Sequence, residues 1–202
     1  MLRMMTRRKP RRAGYHHGRL RETTIDEAVS LVDEGGPEAL GLRELGRRLG
    51  VSHTAIHHHF PTVEDLAKEL VAMWFRDLDR AMAAAVDPIP RTRTIDRFCA
   101  LGVGYVRYAI ANPHRYRMQF RGATGLVREA DASFLRVLET VVACGPTAGR
   151  PIDPMVTTML AWSAMHGLAM LWIDGALRDR LDRDGIDTLA QKVAALISQL
   201  LC

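Results

Sequence analysis

Closely spaced cysteines are missing from this 202-residue chain. Its three cysteines, Cys99, Cys144 and Cys202, are odd in number and far apart, with no CxxC pair. That excludes a zinc ribbon and a disulfide framework, and suits a reducing cytoplasm. Sustained alternation of β-branched residues is also lacking, so no strand is expected. The first 21 residues hold no acid and no apolar core segment, which excludes a secretory signal. Long apolar runs are nearly absent. The single case, "VTTMLAWSAMHGLAMLWI" at 156–173, is eighteen residues without a formal charge. It only reaches the lower length limit for a membrane span, contains His166 and Gly167, and is flanked by Asp153 and Asp174 with no basic cluster. A helix apolar on all sides in a chain of this kind is a core helix or a subunit contact, so no membrane partner is expected.

What is present is an ordinary globular composition, 48% hydrophobic and 25% charged, with charge placed unevenly. Residues 1–21 carry +8, residues 22–90 carry −7 and residues 91–202 carry +4, for a net +5. The segment 1–14 therefore reads as a basic disordered arm that seeks a polyanion or merely solubilises the chain. Nine prolines, at 10, 37, 61, 88, 90, 113, 146, 151 and 154, divide the rest into helical stretches. Leu20, Ile25, Ala28, Val29, Leu31 and Val32 form the apolar face of a first helix that ends at Gly35-Gly36-Pro37. Thr62 caps a long helix with Asp65 at its third position, running through Leu66, Leu70, Met73, Trp74 and Leu78 to about Val86. The "DPIP" at 87–90 then closes the N-terminal module.

Between those helices lies "LGRRLGVSHTAIHHHF" at 45–60. Leu42, Leu45 and Leu49 make one stripe of a short helix, and Gly46 beside it permits close approach of another helix. Gly50 supplies the positive φ of a tight turn, Val51 plugs the core, and Ser52 caps a second helix whose Ala55, Ile56 and Phe60 point inward. Helix, glycine turn and helix make a helix-turn-helix. The outward ridge of the second helix is His53, Thr54, His57 and His58, paired at i, i+4, of a size that enters a major groove. A zinc site on His53 and His57 would need a third ligand, and none lies nearby on this helix. No nucleophile or orienting acid accompanies the histidines, so no catalytic residue, metal or cofactor is assigned and the chain is not read as an enzyme.

With these residues in view, 15–75 resembles the DNA-binding domain of the TetR family of one-component transcriptional regulators. The resemblance rests on "LGVSHTAI" joined to the preceding helix and to the following "HHFPTVEDL". The C-terminal half resembles one branch of that family through "WSAMHG" at 162–167, a Trp-x-x-x-His-Gly signature, and "NPHRYRMQF" at 112–120. The resemblance implies an all-α protein: an N-terminal helix-turn-helix three-helix module joined by a long helix to a C-terminal helical ligand-binding and dimerisation domain, 76–202. It implies a ligand-responsive regulator, a repressor, binding a palindromic double-stranded operator as a cytoplasmic homodimer and released by a small apolar or aromatic effector. It further implies that Ser52, His53, Thr54, His57 and His58 face DNA and that Arg43 contacts backbone or base edges. Two positions depart from the family pattern: His57 stands where Tyr is common, and Val63 where a phosphate-contacting Lys is usual. His59, beside Phe60, is read as half buried and anchored to backbone or phosphate, and His16 and His17 as phosphate contacts or solvated.

In the C-terminal half, Trp162, His166, Ala169 and Ile173 share one helical face, and Ser163, Ala164, Gly167 and Leu171 another. The second face, rich in small residues, suits a partner helix and is where the family forms its dimer, beside the last helix, 186–201. His166 is either a satisfied core histidine or a polar group in an apolar cavity. Met118, Phe120, Phe134 and Trp162 line that cavity or simply fill the core. The competing reading is a helical small-molecule-binding or enzymatic bundle without specific DNA recognition, which would need a convergent polar constellation in 91–202.

Overall fold

The computed structural model describes residues 19–120, 130–145 and 153–201. The basic arm, His16 and His17 lie outside the described residues. Those residues form nine α-helices and one 3-10 turn, with no strand among them, as the sequence predicts. Three helices come first: α1 (Leu20–Gly35), α2 (Leu42–Leu49) and α3 (His53–His59), with the 3-10 turn Pro37–Ala39 between α1 and α2. The long α4 (Val63–Val86) follows, then α5 (Thr94–Ala111), α6 (Pro113–Phe120), α7 (Ala130–Cys144), α8 (Pro154–Ile173) and α9 (Arg183–Ser198).

Local chemistry sets the helix limits. Thr62 accepts a hydrogen bond from the Asp65 amide at 3.0 Å, and its hydroxyl donates to the Asp65 carboxylate at 2.7 Å. Removing such a cap costs about 1 kcal/mol. α8 starts where Asp153 accepts from the Met155 and Val156 amides, with Pro154 in the first turn, where its missing N–H is no loss. α9 begins three residues before the predicted 186 and ends at Ser198, because Asp182 accepts from the Gly185 amide at 2.7 Å and so nucleates the helix earlier.

α5 is the central helix, packing against α4, α7, α8 and α9. Two glycines make that possible. A Cβ on Gly104 would sit 2.9 Å from Ala85 Cβ of α4, and one on Gly102 would sit 3.2 Å from Met165 Sδ of α8 and 3.5 Å from Ala194 Cβ of α9. α4 links the two halves of the protein. Leu66 and Leu70 at its start, and Leu78, Met82 and Val86 further on, are all buried. Arg97 straps the connector after α4 by donating to the Val86 and Ile89 carbonyls at 2.9 and 2.7 Å. α8 is long and apolar enough to cross a membrane, yet 44% of its most apolar window is buried inside the protein. Its remaining exposed residues form a stripe that bears on function.

Candidate nucleic-acid interface and buried cavity

The helix-turn-helix is built around Leu45 and Ile56, neither of which is exposed at all. Truncating either to Ala would cost about 2–5 kcal/mol, the usual range for a buried aliphatic side chain. Gly50 takes the left-handed conformation at φ 67°, and the Val51 amide bonds back to the Gly46 carbonyl at 3.0 Å. A Cβ on Gly46 would lie 3.2 Å from the Val51 carbonyl oxygen, so the turn packs tightly against this glycine. Ser52 then caps α3 by accepting from the Ala55 amide at 3.2 Å.

This geometry leaves Ser52, His53, Thr54, His57 and His58 exposed along one side of α3, and His59 half buried. The His53 and His57 rings are 5.9 Å apart, and those of His58 and His59 are 5.5 Å apart. Among the described residues no group of three His, Cys, Asp or Glu side chains is placed to hold a metal ion. The arginines of α2 divide into two kinds. Arg47 and Arg48 both bond to Glu44, and Arg48 also reaches Glu27 at 3.2 Å and Glu34 at 2.9 Å on α1. Hydrogen bonds from Arg47 and then Arg48 hold the Glu44 carboxyl down at about 2. Arg48 thereby fastens α2 to α1, while Arg47 stays paired within α2. Arg43 is exposed in the first turn of α2 and has no ion pair among the described residues, so its charge remains available to an outside anion.

Below the helix-turn-helix, α6 sits between the two halves. Arg115 donates from Nε to Asp33 of α1 at 2.7 Å, and His114 packs over Gly36, its Nδ1 3.2 Å from where a Cβ would stand. On its other side Arg117 donates to Asp174 at 2.7 Å, beyond the end of α8. Tyr116, fully buried, bonds through its hydroxyl to Tyr105 Oη of α5 at 2.8 Å and to His166 Nδ1 of α8 at 2.7 Å. Burial pushes the His166 imidazole below its ordinary value of 6.5 and pushes both phenols up.

A cavity opens beside this cluster, with about 500 Å³ of empty space including solvent at its mouth. It lies among α4, α5, α7, α8 and α9, walled by Met82, Phe98, Leu101, Tyr105, Phe134, Val137, Trp162 and Met165. Phe134 and Trp162 were expected there, and their rings stand 5.3 Å apart. Met118 is buried, and neither it nor Phe120 nor His166 is part of the wall. Phe120 instead packs on Phe75, Tyr116 and His166, with ring centroids at 5.5, 4.9 and 4.7 Å, and so fills core between α4, α6 and α8. His166 is half buried, with Nδ1 within hydrogen-bond distance of Tyr116 Oη and Tyr105 Oη, and of these three Tyr105 lines the cavity. Tyr105, Phe98 and Leu101 were not foreseen as wall residues. The close glycines 102 and 104 were the available signal, because they mark α5 as the helix all others approach.

The opposite side of α8 is open. Val156 is 63% exposed, Leu160 45% and Leu171 50%, with Ser163 exposed and Ala164 and Gly167 half buried between them. A Cβ on Gly167 would meet nothing within 4 Å. Leu196 of α9, at 65%, and Leu200 just after it, at 42%, are also exposed.

Residues 25–70 match the family model for bacterial regulatory proteins of the tetR family, and residues 98–196 match the tetracyclin repressor-like C-terminal domain. The chain belongs to the TetR family of transcriptional regulators. It is 26% identical over 176 residues to the uncharacterized HTH-type transcriptional regulator Rv0681 of Mycobacterium tuberculosis, covering 83% of this chain and 76% of that one. A solved protein of Rhodococcus sp. RHA1 is 28% identical and superposes with a TM-score of 0.75, covering 90% of this chain and 96% of that one. The TetR family regulator PfmR of Thermus thermophilus shares the fold at 18% identity and a TM-score of 0.63, covering 88% and 94%. A single-residue variant of TetR from Acinetobacter baumannii, solved in complex with minocycline, shares it at 15% identity and 0.62, covering 87% and 92%.

Proposed function

We propose that this protein is a cytoplasmic, homodimeric repressor that binds a two-fold-symmetric operator and is released by a small uncharged molecule, within the branch marked by Trp162, His166 and Gly167. Residues 15–75 serve as the DNA-binding domain and 76–202 as the ligand-binding and dimerisation domain. The observation that carries the reading is the α3 ridge: four polar side chains, His53, Thr54, His57 and His58, exposed on a helix whose opposite side is locked into the core. Arg43 supplies a free cation at the start of α2, and Ser52 presents the α3 N-terminus to phosphate. The basic arm adds contacts to phosphate or minor groove.

The uncovered stripe of α8 supports dimerisation. An apolar stripe with small residues at its centre lets an identical helix pair approach about a two-fold axis, and two half-sites of DNA then follow from the protein's own symmetry. The walled cavity supports effector binding, in line with the minocycline bound by the Acinetobacter relative. α6 is the element through which the two sites communicate, since it bonds to α5 and α8 near the cavity and to α1 in the DNA-binding half. An effector that prefers one placement of α6 by about 1–3 kcal/mol shifts operator affinity by the same coupling energy. The test is binding to duplex DNA with His57→Ala and Arg43→Ala beside wild type. Loss of sequence preference in the first and a uniform loss in the second support the reading, and unaltered DNA binding in both rejects it.

A further inference from the structure

The exposed side of α3 is dominated by one residue type. His53, His57 and His58 are all exposed there, beside Ser52 and Thr54, and this ridge holds no arginine, lysine, carboxylate or carboxamide. Arginine, lysine, asparagine and glutamine keep a fixed hydrogen-bonding character near neutral pH, whereas histidine changes its own. A neutral imidazole offers one N–H donor and one bare accepting nitrogen. The imidazolium offers two N–H donors and a positive charge. The donors and the charge that this ridge presents therefore depend on how many protons it holds.

The charged groups around α3 are mostly engaged with one another. α3 packs against α2 and α1. On α2 the Glu44 carboxylate is held by Arg47 and Arg48, and on α1 Glu27 and Glu34 are taken by Arg48. Arg21 of α1 lies over the Phe60 ring and pairs with Glu69 of α4. In the first turn of α4, Asp65 is bonded to the Thr62 cap and Glu64 is exposed, as is Arg43 of α2. Among the described residues no carboxylate forms an ion pair with a histidine of α3. The anions that meet a docked ridge are then those of the DNA. Phosphates favour the charged imidazolium, and guanine presents two acceptors, N7 and O6, to two donors. Adenine N6 and cytosine N4 present donors, for which a protonated ridge has only hydroxyls to accept. We propose that α3 reads its half-site with protonated histidines: His53 and His57, with ring centroids 5.9 Å apart, take up protons as they enter the groove and donate to guanine acceptor edges, so that operator affinity rises as pH falls. This rests on α3 being the DNA-reading helix and adds the base edge it selects and a response to pH.

The experiment is anisotropy titration of the full-length protein against a duplex that it selects from random DNA, at fixed salt, at about pH 8, about pH 7 and about pH 6. Each histidine that gains a proton on binding should add roughly fivefold to affinity over that range, and the pair roughly twentyfold or more. His53→Gln combined with His57→Gln, which keeps neutral polar side chains on the ridge, should lose most of that gain. Arg43→Ala should weaken binding and keep the gain, because an arginine does not titrate in this range. Replacing the half-site guanines by 7-deazaguanine, which lacks the N7 acceptor, should reduce the gain as the histidine substitutions do. A selected duplex bound equally at all three pH values, or an acid gain that survives the double substitution, overturns proton-coupled reading while leaving α3 as the DNA-reading helix. A half-site without guanine, or a gain untouched by 7-deazaguanine, overturns the assignment of the histidines to guanine edges. Failure to select any duplex overturns the DNA-reading account and this inference with it.

Discussion

A bulky cation placed at Gly167 tests how two copies meet. Within one protomer the position is open, with nothing within 4 Å of a Cβ, so Gly167→Arg costs no internal contact. Replacing a helical glycine also gains roughly 0.5 kcal/mol or more of helix propensity. The protomer should therefore stay folded. In the proposed dimer the same position lies between Ser163 and Leu171, in the exposed α8 stripe that Val156 and Leu160 extend. A two-fold contact carries every substitution twice. Burying one unpartnered guanidinium costs about 2–3 kcal/mol even after partial escape to water, so two cost about 5 kcal/mol. The dimer dissociation constant should rise by roughly three to four orders of magnitude. Sedimentation velocity over a micromolar concentration series reads this directly, with far-UV circular dichroism to confirm helix content and Gly167→Ala as a control that stays dimeric. A Gly167→Arg protein of unchanged dimer mass would refute the interface, and one that loses its helices would refute the outward placement of Gly167.

Arg43→Ala should weaken specific and nonspecific DNA binding alike and reduce the slope of log K against log salt by about one, measured by anisotropy across salt. Deleting residues 1–12, which removes Arg3, Arg7, Arg8, Lys9, Arg11 and Arg12, should flatten that slope further without changing the preferred sequence. Because burial lowers the His166 value, the unfolded chain takes up a proton that the folded chain resists. Stability from this group is present above about pH 6.5 and is lost as pH falls below it. Thermal melts at about pH 7.5 and about pH 5.5 should show a larger drop for wild type than for His166→Gln.

The helix-turn-helix was legible because its physics is local. Leucine spacing, the positive φ of Gly50 and the Ser52 cap each act within a few residues, and each is where the pattern placed it. α4 was legible from Thr62 to Val86 for the same reason. The start of α9 was misjudged because Asp182 can cap or sit in a loop, and only the Gly185 amide decides. The cavity wall was harder still. Phe120 and Phe134 are equivalent as letters, and whether a ring fills core or faces empty space depends on five helices meeting. The ion pairs of α2 were equally hidden, since three arginines within six residues look alike until Glu27 and Glu34 of α1 claim Arg48 and leave Arg43.

The central claim, a dimer reading two half-sites with the α3 ridge, is tested most directly by selecting bound fragments from random duplex DNA with the full-length protein and with His57→Ala. Wild type should enrich a two-fold-symmetric motif whose half-sites are centred about one helical turn, or a multiple of it, apart. His57→Ala should relax preference at one base pair in each half-site, by about 1–3 kcal/mol. Enrichment of an asymmetric motif, of no motif, or of a motif indifferent to His57 would contradict it.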